Sequence, residues 1–504
     1  MKNILEFLEK DALNYPDKTA FVDSEESLTY SKALELSQRI GTCLAALGTK
    51  NKPVAVYLDK NVRALTAMFG VVYSGNFYVM IDGEMPADRI ERIFTTLQPV
   101  AIITDGARID AAKTLGVDNI FTVDEAEKCE IDSEKLAEIR DVQIDTDPLY
   151  ALYTSGSTGM PKGAVLTHRN VIAYSEWTVN TFNFTDETVF GNQTPFYFSM
   201  SVTDIFSTLR AACTLVVVPK SYFSFPMMLV DYLNKNKVNT IYWVPSALSI
   251  VANLKLFDLA KPEYLKMVLF AGEVMPTKQL NYWINSLDKS IVYANLCGPT
   301  ETTDICTYYV VDRAFSDDEP LPIGKHCNNC DVFILKDDGT QAGVNEEGEL
   351  FVRGSFLAQG YYNNPEKTAE AFVQNPLNTA YPEKVYKTGD LVKMNERGEI
   401  MYICRKDYQI KHMGYRIELG EIETAASACT GMQECVCVYD EDEDKIVLVY
   451  SAKKTSEEQI MEELSKKLTS YLMPNRLVKM RTLPHNQNGK IDRKAIKAEV
   501  TENK

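Results

Sequence analysis

The chain has 504 residues, 45% of them hydrophobic, enough to bury more than one core, so two or more domains are expected. A formal net charge of −17 argues against nucleic acid or an anionic membrane as a general partner. No basic-then-apolar leader opens the sequence and no apolar run approaches bilayer-spanning length, which predicts a cytoplasmic protein with no membrane span.

Through the first three hundred residues, short apolar runs at 53–57, 100–104, 149–153, 214–218, 240–243 and 267–270 alternate with amphipathic stretches such as 31–47. That alternation predicts α/β layers with parallel strands. From about Pro322 the runs shorten and turn residues crowd in, as at Asp337-Asp-Gly339, predicting a β-rich subdomain. The last hundred residues read as a helix over 420–429, strands over 434–439 and 445–452, and a helix over 457–472. The expected fold class is therefore α/β, with a large N-terminal domain of layered α/β subdomains plus a β-rich subdomain, followed by a small α+β C-terminal domain.

After the apolar run at 149–153 comes Tyr153-Thr-Ser-Gly-Ser-Thr-Gly-Met-Pro-Lys-Gly163. Gly156, Gly159 and Gly163 permit backbone angles and close approach that a Cβ forbids. The N–H groups of such a loop form a concave donor surface for phosphate oxygens. Thr154, Ser155, Ser157 and Thr158 add hydroxyls, and Lys162 adds a charge. The loop is not a Walker A motif, because the sixth position counted from Gly156 is Pro161. A flexible linker would account for the Gly and Ser content, but not for the strand ahead of it or the embedded Pro-Lys-Gly.

Eleven cysteines and four histidines give no disulfide framework, triad or metal cluster by spacing. Cys327-Asn-Asn-Cys330 has no second Cys-x-x-Cys to complete a zinc site and reads as buried thiols. Cys435 and Cys437 alternate with valines and read as one face of a strand.

Beyond the glycine-rich loop, Asn295-Leu-Cys-Gly-Pro-Thr-Glu301, Tyr386-Lys-Thr-Gly-Asp390, Lys406-Asp-Tyr-Gln-Ile-Lys411, Gly414-Tyr-Arg-Ile-Glu418 and Asn488-Gly-Lys490 occur in a fixed order along nearly the whole chain. With these strings the chain resembles the ANL superfamily of adenylating enzymes: acyl-CoA synthetases, nonribosomal peptide adenylation domains and firefly-type luciferases. Asn192-Gln-Thr-Pro-Phe196, Gly272-Glu-Val274 and Gln409-Ile-Lys-His-Met-Gly-Tyr-Arg416 make it most similar, within that group, to the stand-alone D-alanine–carrier protein ligases of teichoic-acid D-alanylation.

The resemblance implies ATP and Mg²⁺ as cofactors and a small carboxylic or amino acid as substrate. The acid is activated as its acyl-adenylate and then passed to the phosphopantetheine thiol of a separate carrier protein. A rival acceptor is free coenzyme A, and a catalytically silent nucleotide-binding regulator is the rival from another class. Residues 1–406 would form the adenylating core and 407–504 a lid that turns about Asp407.

The catalytic roles implied fall to Lys490, Thr158 and Glu301, with Lys490 bridging the substrate carboxylate and α-phosphate and Glu301 ligating the metal. The nucleotide would be held by Thr154, Ser155, Gly156, Ser157, Thr158, Gly159 and Lys162 on its phosphates, with Gly272, Asn295, Leu296, Cys297, Gly298, Pro299 and Thr300 around the base. Asp390, Arg405 and Tyr402 would meet the ribose and nucleoside. The acid pocket would be lined by Ser199, Met200, Thr203, Tyr242, Leu269, Ala271, Leu296, Asp304 and Ile305.

Three positions depart from the pattern. Ser199 stands where amino-acid-activating relatives carry the aspartate that pairs with an α-ammonium. An unpaired buried ammonium is strongly disfavoured, so either the substrate lacks an α-amino group or Asp304 supplies the charge. Ala271 replaces a cysteine of the D-alanine ligases, and Cys297 an aromatic residue that stacks on adenine.

Overall fold

A computed structural model describes residues 1–155, 160–406, 409–485 and 491–502. The chain divides into two compact units, residues 1–83, 97–152 and 163–406 in the first, residues 84–96, 153–162 and 407–504 in the second.

Three sheets build the first unit. The largest has nine strands in the order Lys325–His326, Thr307–Val310, Val292–Cys297, Met267–Phe270, Thr240–Trp243, Val189–Asn192, Thr214–Val217, Thr19–Val22 and Ser27–Thr29. Its six central strands, from Val292–Cys297 to Thr19–Val22, run parallel, and the edges are antiparallel. The apolar run at 214–218 and its neighbours were legible because strands covered on both faces need apolar residues at every position. A seven-stranded sheet orders Gly360–Tyr361, Lys162–Thr167, Pro148–Thr154, Phe77–Ile81, Pro53–Tyr57, Ala101–Thr104 and Ile120–Thr122. The β-rich subdomain expected after Pro322 is a five-stranded antiparallel sheet of Cys330–Leu335, Glu347–Gly354, Lys384–Met394, Phe372–Gln374 and Ile400–Arg405.

Helix Tyr30–Ala45 starts where Thr29 Oγ1 accepts from Lys32 N, which satisfies one orphan donor of the first turn. It crosses helix Val62–Tyr73 at two glycines. A Cβ on Gly41 would lie 2.4 Å from Tyr73 Cβ, and one on Gly70 would lie 2.4 Å from Ile40 Cγ2.

In the second unit, the hairpin Gln409–His412 and Tyr415–Glu418 precedes helix Leu419–Ser427. A three-stranded sheet of Met432–Asp440, Lys445–Ala452 and Arg476–Lys479 follows. That sheet is buried on both faces: Cys437 packs in one apolar cluster, with Cys435 against it, while Val436 and Val438 belong to another. The single helix expected over 457–472 is a helix at Glu457–Ser465 and a separate 3₁₀ turn at Ser470–Leu472. Ile460, Leu464, Leu468 and Leu472 are spaced by four, and each step drifts by roughly 40° around a helix of 3.6 residues per turn. A continuous helix would carry Leu472 away from the core; the break at Thr469, in extended backbone, returns Leu468 and Leu472 to it.

Candidate active site

Three loops that carry predicted site residues leave the carboxyl ends of parallel strands in the nine-stranded sheet. They follow Val189–Asn192, Met267–Phe270 and Val292–Cys297, and Tyr242 lies on the strand Thr240–Trp243 between the first two. This is the edge at which open parallel sheets bind ligands. Register aligns Asn192, Tyr242, Leu269 and Ala294 in one row across the four strands, so Tyr242 and Leu269 share a face.

The chain turns sharply after Val292–Cys297. A Cβ on Gly298 would lie 2.4 Å from the Asp304 carbonyl oxygen and 2.5 Å from Ile305 Cα, so only glycine lets the returning backbone approach. Thr303 then adopts φ 71°, ψ −56°, and Asp304 N donates to Thr302 O at 2.9 Å. This is a γ-turn of the rare, strained kind, costly for a β-branched residue. Thr303 Oγ1 donates to Phe356 O at 2.8 Å and holds it.

The turn aims Asp304 into a cage of hydroxyls. Its Oδ2 accepts from Thr203 Oγ1 at 2.9 Å, from Tyr174 OH at 3.0 Å and from Tyr242 OH at 3.0 Å. Ser199 is an electrostatic neighbour of the same carboxylate and favours its charged form. These hydroxyls come from helix His168–Phe182, helix Ser201–Ala211, strand Thr240–Trp243 and the loop before residue 201. Burial raises the Asp304 carboxyl from 3.8 to about 6, and the hydroxyls around it hold it from rising further. It is therefore mostly ionised at neutral pH and 1% exposed, and no ion pair meets it among the described residues. Met200, Leu269, Ala271, Leu296 and Ile305 are all buried in the apolar core of the same unit. Sequence reasoning missed Tyr174. It occurs with Val171, Thr178 and Phe182 at helical spacing and reads as one more core position.

Glu301 is fully buried, and its Oε1 accepts from Tyr361 OH at 2.6 Å. Tyr361, on the edge strand Gly360–Tyr361, is a second residue that the sequence reading did not single out. Among the described residues no group of three or more His, Cys, Asp or Glu side chains is arranged to hold a metal. The Glu301 carboxylate is a hard oxygen donor that fits Mg²⁺, an ion that keeps several waters and takes one or two carboxylates plus phosphate oxygens. Asn295 Nδ2 donates to Pro322 O at 2.8 Å, which fixes the orientation of the amide. Pro299 and Thr300 follow Gly298 into a 3₁₀ turn at Thr300–Thr302, and Gly272 takes φ +95° just past Met267–Phe270.

In the five-stranded sheet Asp390 and Arg405 face each other across neighbouring strands. Arg405 Nη1 donates to Asp390 Oδ1 at 3.0 Å, and Asp390 N donates to Thr388 Oγ1 at 3.0 Å. Gly389 has φ +76°, and a Cβ there would lie 2.7 Å from Arg405 Nη2. Burial pushes the Tyr402 hydroxyl well up, and its electrostatic neighbours include Asp390, Cys297 and Arg405. The predicted nucleoside residues Asp390, Arg405, Tyr402 and Cys297 are thus neighbours. Cys327 and Cys330 are buried free thiols, the Cys330 thiol pushed up by burial.

In the second unit, Ser155 is buried: its Oγ donates to Arg416 O at 2.7 Å and accepts from Glu418 N at 3.2 Å. Thr154 Oγ1 donates to Lys162 O at 3.5 Å across the neck of the loop. Gly156, Ser157, Thr158, Gly159, Asp407 and Lys490 lie outside the described residues. Beside Lys490, His485 and Ile491 form an antiparallel bridge. Arg493 Nη1 donates to Cys437 O at 3.0 Å and pairs with Glu423, so the last helix is fixed to the three-stranded sheet.

Residues 8–362 match the family model described as AMP-binding enzyme, and residues 421–490 match the AMP-binding enzyme C-terminal domain. A D-alanine--D-alanyl carrier protein ligase from Bacillus cytotoxicus is 30% identical over 514 residues, covering 99% of both chains. Tyrocidine synthase 3 from Brevibacillus parabrevis is 29% identical over 500 residues, covering 98% of this chain and 8% of the synthase. The chain spans less than half the length of the peptide synthetases it matches first. Among solved structures, the Vibrio cholerae adenylation domain AlmE, in complex with glycyl-adenosine-5'-phosphate, superimposes with a TM-score of 0.84. It is 20% identical and covers 100% of this chain and 98% of its own.

Proposed function

Because the chain belongs to the AMP-binding enzyme family, we propose that it activates a small amine-bearing acid with ATP and passes the acyl group to a carrier-protein thiol. In the first step a substrate carboxylate oxygen attacks the α-phosphorus, and the bond to the bridging oxygen breaks to release pyrophosphate. In the second, the phosphopantetheine thiolate attacks the acyl carbon and expels AMP. The carrier as acceptor is supported by the names of the D-alanine--D-alanyl carrier protein ligases, full-length relatives at 30% identity.

The observation that carries the substrate reading is the Asp304 carboxylate, buried, largely ionised and without an ion pair among the described residues. A buried charge of this kind is costly to hold, and an ammonium group on the ligand would offset that cost. With Ser199 in place of the usual aspartate, the anchor comes from the loop after Val292–Cys297.

The remaining roles follow the family. Asp390 takes the ribose hydroxyls with Arg405 beside it, Asn295 reads adenine, and Glu301 holds Mg²⁺ with the phosphate oxygens. The loop from Thr154 to Lys162 holds the phosphates. Lys490 bridges carboxylate and α-phosphate, carried by a lid of residues 407–504 that turns about Asp407. The reaction would run in the cytosol, where ATP is supplied.

Pyrophosphate exchange with D- and L-amino acids, β-amino acids, hydroxy acids and aryl acids tests the reading. Exchange is expected with amine-bearing acids, and their des-amino analogues should be at least 100-fold poorer. Exchange confined to acids without an amine would overturn it. Acyl transfer to coenzyme A but to no carrier protein would overturn the acceptor.

A further inference from the structure

We infer that Lys60 is a positioning residue for the acid pocket: its ammonium clamps the carboxyl ends of strands Val189–Asn192 and Thr214–Val217 and, through Asn192 and Asp204, sets the loop that presents Ser199 and Thr203 to Asp304. This rests on the amine-bearing-acid reading for its kinetic consequence, but the clamp itself is a matter of geometry.

Lys60 follows the strand Pro53–Tyr57 of the seven-stranded sheet and precedes helix Val62–Tyr73, whose first turn is capped by Asn61 Oδ1 accepting from Ala64 N at 2.9 Å. From that fixed base the side chain reaches the other sheet. Its Nζ lies 2.9 Å from Gln193 O, 3.1 Å from Val218 O, 3.2 Å from Asn192 Oδ1 and 3.3 Å from Asn192 O. All four neighbours are acceptors. A neutral amine would turn its lone pair on one of them, so the array suits an ammonium with three donors. The stem is partly exposed, but the ammonium lies deep; burial draws it down to about 7, while Asp204 opposes the fall.

Asn192 passes the contact on. Its Oδ1 accepts from Lys60, and its Nδ2 donates to Asp204 Oδ2 at 2.8 Å. Asn192 ends the strand, and Asp204 sits in the first turn of helix Ser201–Ala211, so this bond closes the loop between them. Ser199, within the loop, is an electrostatic neighbour of Asp304, and Thr203, one residue before Asp204 in the helix, donates to Asp304 Oδ2 at 2.9 Å. Asn192 and Asp204 are fully buried, and Asp204 Oδ1 has no hydrogen-bond partner among the described residues. A buried polar network that is only partly satisfied is costly, and its presence beside the pocket fits a role in fixing geometry.

The test compares wild type with Lys60→Met, which keeps the length and removes the donors, with Lys60→Arg, which keeps the charge, and with Asn192→Ala. Amide hydrogen exchange on substrate-free protein reads the clamp directly. Protection across 193–200 should fall at least 10-fold in Lys60→Met and in Asn192→Ala, and stay near wild type in the strands at 267–270 and 384–394. In pyrophosphate exchange, the KM for the acid should rise at least 10-fold while the KM for ATP stays within twofold. The double variant should be no worse than the poorer single, because both substitutions break one linkage. Unchanged protection across 193–200, or equal losses in the two KM values, would overturn the inference. If Lys60→Met does not fold, Asn192→Ala and Lys60→Arg carry the same measurements. Wild type that exchanges no amine-bearing acid would overturn the functional reading, while the hydrogen-exchange result still decides the clamp.

Discussion

Asp304→Asn separates the cost of the buried charge from its use. Raising the carboxyl from 3.8 in the free chain to about 6 corresponds to about 3 kcal/mol at neutral pH, borne by the substrate-free fold. The sign follows from the direction. A carboxyl whose folded value is raised favours the folded state below 3.8 and loses that contribution as pH climbs through about 6. The amide carries no charge, so the variant should be more stable than wild type at pH 7.5 and gain nothing at pH 4, which thermal unfolding at the two pH values measures. Substrate binding should move the other way. Leaving a buried ammonium without its partner costs roughly 3–5 kcal/mol, so kcat/KM for the acid in pyrophosphate exchange should fall by about 150-fold to 5,000-fold. The KM for ATP should hold. In wild type kcat/KM should also drop below pH of about 6 as Asp304 protonates, and Asp304→Asn should lack that limb. A variant within threefold of wild type for the acid, or one less stable at pH 7.5, would refute the charge argument.

Tyr361→Phe removes the 2.6 Å bond to Glu301; losing a hydrogen bond to a charged group costs about 1.5–3 kcal/mol, so the Mg²⁺ concentration for half-maximal exchange should rise about 10-fold or more, by metal titration. Gly298→Ala would set a Cβ 2.4 Å from the Asp304 carbonyl oxygen, so the turn must open; a lower unfolding temperature and at least a 10-fold loss in acid kcat/KM are expected. Lys490→Ala should lower adenylate formation by at least 100-fold while leaving thioester formation from supplied adenylate largely intact, measured by single-turnover assays of each half-reaction. Ser199→Asp should lower exchange at neutral pH, because two carboxylates sharing a site cannot both ionise cheaply; its pH limb should move above about 6.

Periodicity revealed the layers but not the convergence. The strands at 53–57, 240–243 and 267–270 were legible because burial on both faces leaves an unbroken apolar run. The break at Thr469 was not, since it depends on which face of a helix meets a particular sheet. Glu301 and Asp390 were found through whole motif strings, and Asp304 through the resemblance those strings carry. Tyr174, Tyr361 and Lys60 belong to no string, and their partners lie 130, 60 and 132 residues away, brought near only by the tertiary packing of sheets, helices and turns.

Ser199 shows what such distance hides. Read along the chain, it is the loss of an aspartate that should hold an amine. In the fold its hydroxyl is an electrostatic neighbour of Asp304 and favours the charged carboxylate, so the serine and the carboxylate form one arrangement. An aspartate at 199 would place a second negative charge beside a group already strained by burial, pushing one of the two to stay protonated. With serine there, the pocket keeps an ionised Asp304 with three hydroxyl donors on it and the Ser199 hydroxyl nearby. Those donors lower the cost of holding the charge in readiness without neutralising it, which is the condition for an incoming ammonium to be selected over an uncharged group of the same shape.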